Sequence, residues 1–288
     1  MANSVLGNEG EWTEVISPKK GLLDINLAEL WRYRDLIMLF VKRDFVSVYK
    51  QTVLGPLWLV IQPVFTTLIF MVVFTKVARI STNNIHPVLF YLSGITLWNY
   101  FSDCFNKTSN TFVSNAGIFG KVYFPRLVSP VSIVISNLIK LGIQTVLFVG
   151  IWTYLVATGA TQVSINSSIL LLPYLVILMA IMGLGLGIIF SSLTTKYRDL
   201  TFLLQFGIQL LMYATPVIYP LSYTTGKLHT LIALNPLTPI IETMRYAFFN
   251  VGFLDVSGLI YTTVFSIVVL AVGIVIFNQV EKSFMDTV

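Results

Sequence analysis

Charge is scarce in this sequence: Asp, Glu, Lys and Arg make up 11% of the 288 residues, hydrophobic residues 56%, and mean hydropathy is +0.81. Soluble domains average about 25% charged residues, so a soluble fold is excluded. The one cysteine, Cys104, cannot form an intramolecular disulfide or a cysteine-built metal site. His86 and His229 stand in separate loops with no carboxylate at ligand spacing, so no metal site is expected. No glycine-rich loop is followed by Lys-Ser or Lys-Thr, so the chain does not bind ATP by that route. The net charge of +5 is spread over short loops with no basic stripe, which argues against nucleic acid as a partner. The first twenty residues are polar, and no cleavable signal peptide is expected.

Long apolar runs are abundant. Hydrocarbon about 30 Å thick takes roughly 20 apolar residues to cross as a helix. Leu57 to Phe74 has no charged residue and qualifies, with Pro63 predicting a kink that neighbouring helices repair. Further spans are expected at Pro87 to Phe105, Val128 to Val156, Ile169 to Leu193, Leu200 to Tyr219 and Leu259 to Phe277. Between the last two, Pro220, Pro236 and Pro239 break a segment whose apolar pieces, Leu228 to Leu234 and Ile240 to Phe253, are too short to cross. Re-entrant or interfacial helices have that length. The expected fold is an all-α integral membrane protein with six spans, divided as a flexible cytoplasmic tail (1–25), an amphipathic interface helix (26–50) and a transmembrane domain (51–288).

In the interface helix, Leu27, Leu30, Trp31, Ile37, Met38, Val41, Phe45, Val48 and Tyr49 share one face at 100° per residue. Arg32, Asp35, Arg43, Ser47 and Lys50 lie opposite, with Leu36 and Phe40 interrupting the polar side. With the N-terminus inside, thirteen Lys and Arg fall in cytoplasmic segments and four (Lys76, Arg79, Lys227, Arg245) on the other side. That asymmetry predicts six spans with both termini cytoplasmic.

Asp103 and Lys107, one helical turn apart, are expected to pair, as are Glu242 and Arg245. Lys140 falls inside a span, where it either snorkels or faces a watery cavity. Membrane-embedded carboxylates are otherwise nearly absent and no internal repeat stands out, so an ion-coupled transporter is poorly supported. A glycan-transferring membrane enzyme would need a carboxylate or metal cluster that the dispersed acids do not offer. Gly183, Gly185 and Gly187 lie within an apolar run and predict close helix packing in place of a nucleotide loop. Aromatic residues are 14% of the chain, and Phe65, Phe70, Phe90 and Tyr91 sit deep within spans, where ring faces suit a sliding sugar chain as well as ordinary packing.

Several blocks, taken together and in order, resemble a known family: VYKQTVLGPLW from Val48 to Trp58 with Pro63 following, FPRLVSP from Phe124 to Pro130, Tyr197-Arg198-Asp199, and NPLTP from Asn235 to Pro239 with Arg245. They are similar to ABC-2 type permeases that export polysaccharides, including O-antigen, teichoic-acid and group 2 capsule exporters. The likeness runs from about Ala28 to the C-terminus and leaves out the extension before Gly21. It implies a homodimer of permeases in the bacterial inner membrane, bound to two copies of a separate ATPase that carries ATP and Mg. It also implies a substrate, an undecaprenyl-pyrophosphate-linked polysaccharide; a capsule, teichoic-acid, drug or lipid substrate is the alternative within the same fold. By the same likeness, Trp58, Phe65, Phe70, Phe90, Tyr91, Trp98, Phe202, Phe206 and Tyr213 line the sugar path. Arg34, Arg43 and Lys50 receive the pyrophosphate. Trp31 and Arg32 touch the ATPase from the interface helix, and a coupling helix within Gly117 to Arg126 docks into it through Gly120, Lys121, Tyr123, Phe124, Pro125 and Arg126. Pro216, Tyr219, Asn235, Pro236, Pro239, Glu242 and Arg245 form a periplasmic gate.

Overall fold

The computed structural model describes residues 27–50, 52–122, 124–162, 165–197 and 199–284. The expected tail (1–25), Tyr123 and Arg198 lie outside the described residues. The regular elements described are all helical: α1 (Leu27–Arg32), α2 (Arg34–Tyr49), α3 (Trp58–Phe70), α4 (Pro87–Ser109), α5 (Thr111–Phe119), α6 (Val128–Ala157), α7 (Leu172–Lys196), α8 (Leu200–Tyr213), α9 (Gly226–Ala233), α10 (Thr238–Phe249) and α11 (Val256–Phe284). Among the described residues, four stretches, Gly55–Val77, Val128–Ala157, Ser167–Lys196 and Val256–Gln279, are long and apolar enough to cross a membrane. α4 has the length but carries a polar file, Asn99, Ser102, Asp103, Asn106 and Lys107, down one side.

The centre is a slab of three parallel helices, α4, α7 and α11, held together by the glycines of α7. A Cβ on Gly183 or Gly187 would sit 2.9 Å from Cys104 Cβ or 2.5 Å from Thr108 Cβ, both on α4. On the other side, a Cβ on Gly185 would lie 2.9 Å from the backbone of Leu270 on α11. The glycine run is thus a packing device that brings backbones together, as small residues do between membrane helices. α6 packs against α4, and α3 against both.

Three expectations change. The interface helix is two pieces, broken at Tyr33, and its buried side is Ile37, Phe40 and Val41. Phe40, which interrupts the polar face, is core: it meets Phe124 edge to face at 5.6 Å and carries Arg43 at 4.4 Å. Trp31 and Met38, read as apolar-face residues, are exposed. The second span, expected to end at Phe105, runs on as α4 to Ser109, and α5 follows it directly. The fifth span, expected to reach Tyr219, stops at Tyr213. Pro216 has no N–H to continue the ladder, and side chains from α10 and its preceding turn take the freed carbonyls.

α3 continues into π-helical turns from Met71 to Val77, where Thr75 Oγ1 and the Tyr91 hydroxyl hydrogen-bond at 2.9 Å. Ile85, α9, α10, and the starts of α4, α7 and α11 share one end of the bundle, here called the far end. α2, α5 and the starts of α6 and α8 share the other.

Candidate functional site

At the far end, two residues of the NPLTP…R block hold the end of α8. Asn235 Nδ2 donates to Ala214 O (2.9 Å) and Thr215 Oγ1 (2.8 Å), while its Oδ1 accepts from Leu237 N (3.0 Å). Arg245, 2% exposed, donates through Nη1 to Pro216 O (2.6 Å) and through Nη2 to Val217 O (2.9 Å). Nη1 also reaches Glu242 Oε1 at 3.1 Å, the expected ion pair. The guanidinium lies 3.7 Å from the centroid of the Phe90 ring. It rests on bare backbone at Gly94, where a Cβ would come within 3.1 Å of both Nη2 and Val217 O. Thr262 Oγ1 donates to Pro236 O (2.9 Å), Pro239 packs beside Gly258, and Tyr219 donates to Tyr213 O (2.8 Å). The structure therefore gathers all seven residues expected of the gate into one neighbourhood. Gly94 and Thr215 join them, and neither stands out in the sequence.

At the α2 end lies a cavity of about 600 Å3 lined by Arg43, Asp44, Lys107, Asn110, Asn115 and Gln205 among others. Of the three cations expected to meet a pyrophosphate, only Arg43 reaches it. Its Nη2 is 2.7 Å from Asp44 and its Nη1 3.4 Å from Asn115 Oδ1. Arg34 is exposed beside Trp31, nine residues and about 13 Å back along the helix, and Lys50 is exposed and does not line the cavity.

The second cation in the cavity wall is Lys107, and it does not pair with Asp103. Asp103 Oδ2 accepts from Lys140 Nζ at 2.6 Å, and Lys107 Nζ donates to Asn137 Oδ1 at 2.9 Å. Lys140 is thus neutralised across the α4–α6 seam, which disposes of its cost in the span. Taking away one charge leaves the other poorly solvated, whereas taking away both does not. Asp103→Asn or Lys140→Gln alone should destabilise the protein by about 1–3 kcal/mol, and the double variant should recover most of it. Melting midpoints in detergent check this.

The nine expected path aromatics divide. Phe90, Tyr91 and Trp98 are core, and Phe70 is half-buried against Tyr91 at 6.1 Å. Trp58 and Phe65 are exposed on α3, and Phe202, Phe206 and Tyr213 on α8. At 100° per residue, the α8 rings share a face with Gln205 and Gln209, both exposed. On α3, Gln62 sits between Trp58 and Phe65 in the same way. These amides belong to the surface as much as the rings do, and their period-3.6 spacing with the aromatics was the signal that would have found them.

Of the expected ATPase contacts, Trp31, Arg32, Gly120 and Lys121 are exposed. Phe124 is 5% exposed between Phe40 and Phe119, Pro125 is half-buried, and Arg126 lies 5.7 Å over the Phe119 ring. The helix of this region is α5, ending at Phe119; the described residues 120–122 and 124–126 are not helical, with Phe124 and Arg126 drawn into the core beneath it.

The sequence profile described as "ABC-2 type transporter" matches residues 35–249. The chain is 29% identical to the O-antigen export system permease protein RfbA of Klebsiella pneumoniae over 254 residues, 88% of this chain and 94% of that protein. It is 26% identical to RfbA of Myxococcus xanthus (91% and 98% covered) and 22% identical to the polysialic acid transport protein KpsM of Escherichia coli (85% and 93% covered).

Proposed function

Because the chain belongs to the ABC-2 type transporter family, we propose that it is the permease subunit of an exporter carrying a lipid-linked, O-antigen-like polysaccharide across the bacterial inner membrane. The names of the Klebsiella and Myxococcus relatives support that substrate. In this reading α3, α4, α6, α7, α8 with the turns after it, and α11 make six passes, the α2 end is cytoplasmic, and α9 and α10 are the re-entrant gate. The absence of a nucleotide loop in the sequence fits a separate ATPase, in two copies, as the motor. Trp31, Arg32 and Lys121 face it. The 600 Å3 cavity, with Arg43 and Lys107, receives the pyrophosphate head, since paired cations suit phosphate oxygens.

The observation that carries the reading is the face of α8 on which Phe202, Gln205, Phe206, Gln209 and Tyr213 are all exposed. An amide turned to hydrocarbon loses its hydrogen bonds and is costly. Rings with amides between them suit a hydroxyl-rich chain with apolar ring faces. A second copy, facing α3 and α8, closes the path. In sealed proteoliposomes holding the permease with its ATPase, the double variant Phe206→Ala, Gln209→Leu should cut export of the host's lipid-linked polysaccharide at least tenfold at unchanged protein level. Undiminished export by that variant overturns the assignment of the path.

A further inference from the structure

A second cavity, of about 290 Å3, opens at the far end among the loop before α4, the turn at Leu221–Tyr223, α9, α10 and the connection into α11. Its wall includes Asn83, Ser222, His229, Glu242, Phe253 and Asp255. We propose that this cavity binds one neutral pyranose unit of the exported glycan on the outer side of the gate, a proposal that rests on the export reading above.

The polar groups are held before any ligand arrives. Glu242 Oε1 is fixed by Arg245 at 3.1 Å, leaving Oε2 directed toward Gly252 on the cavity wall. Asp255 Oδ1 accepts from Ser257 Oγ (2.7 Å) and from Gly258 N (2.9 Å) at the start of α11. His229 Nδ1 is engaged with Thr224 Oγ1 at 3.1 Å. Asn83 and Ser222 exchange hydrogen bonds of 2.9 and 3.2 Å. The second oxygen of each carboxylate and His229 Nε2 have no protein partner among the described residues. Groups locked on one side and open on the other bind without further ordering cost. Phe253, 71% exposed, adds an apolar platform.

Charge and size narrow the ligand. Two carboxylates face the space, and Arg245 turns both terminal nitrogens to Pro216, Val217 and Glu242, so phosphate and acidic sugars are disfavoured. No group of three or more His, Cys, Asp or Glu among the described residues is arranged to hold a metal ion, which argues against a divalent cation. A volume near 300 Å3 is the low end for small-ligand clefts and suits one sugar ring. Carboxylates accepting from hydroxyls beside an aromatic face are the chemistry a pyranose needs.

The test uses the full permease–ATPase complex in nanodiscs, with oligosaccharide released from the host's own polysaccharide by mild acid as probe. Saturation-transfer NMR reads binding, and ATP hydrolysis stimulated by intact lipid-linked polysaccharide is read on the same samples. Wild-type complex should bind the oligosaccharide, and Phe253→Ala and His229→Gln should each weaken binding at least tenfold with melting midpoints unchanged. No binding by a wild-type complex that lipid-linked glycan does stimulate, or binding indifferent to both variants, overturns the proposal. Calcium that binds and displaces the oligosaccharide at micromolar concentration also overturns it. Oligosaccharide binding lost in both variants, in a complex that no lipid-linked glycan stimulates, upholds the pocket and sinks the export reading instead.

Discussion

Arg245→Met should abolish export and cost about 3–5 kcal/mol of stability, the range for removing one partner from a buried charged network. The guanidinium satisfies two carbonyls, Pro216 O and Val217 O, where α8 has already ended, together with Glu242. Without it, those carbonyls stay buried with no donor and Glu242 loses its counter-charge. The fork is also flat against Phe90 and Gly94, a shape that an ammonium does not reproduce. Arg245→Lys should therefore keep the charge, regain less than half of the lost stability and still fail in export. Fluorescence-detected melting and surface glycan labelling measure the two effects. A Met variant that exports normally would show that the clamp is dispensable.

Gly187→Val should leave almost no folded protein. Its Cβ would fall 2.5 Å from Thr108 Cβ and 3.2 Å from the Phe105 carbonyl, contacts that no rotamer relieves, so α4 and α7 must separate. Overpacking typically costs about 1–3 kcal/mol, and here it spreads along the interface that both Gly183 and Gly187 keep close. Gly142→Ala on α6, where a Cβ meets nothing within 4 Å, is the matched control and should be neutral or stabilising by up to about 1 kcal/mol. The yield of monodisperse protein after size exclusion distinguishes them. Equal yields would mean that the glycines serve something other than packing.

The apolar runs and their proline breaks are legible in the sequence, because membrane crossing is a demand on length and polarity alone. The clustering of the NPLTP block with Arg245 is legible too: Asn235 and Arg245 lie close in sequence, and several of their partners are backbone carbonyls. What escaped were pairings between distant elements. Asp103 has Lys107 one turn away on its own helix, yet takes Lys140, 37 residues on, because α6 brings that ammonium to 2.6 Å across the seam. The buried side of α2 was misjudged for a related reason. Phe40 stands among polar residues, and only the approach of Phe119 and Phe124 turns that side inward. Among the aromatics expected to line a path, hydrophobicity could not separate rings facing the core from rings facing out, since both sides of a membrane helix favour apolar residues.

The π-helical turns of α3 set one more condition. Hydrogen bonds from each residue to the fifth before it advance the side chains through a smaller angle per residue than an α-helix does. Beyond Met71 the direction that continues Trp58 and Phe65 veers around the helix axis. On the proposed reading of α3 as one wall of the sugar path, a polymer that touches Trp58 and Phe65 meets a different file of side chains beyond Met71.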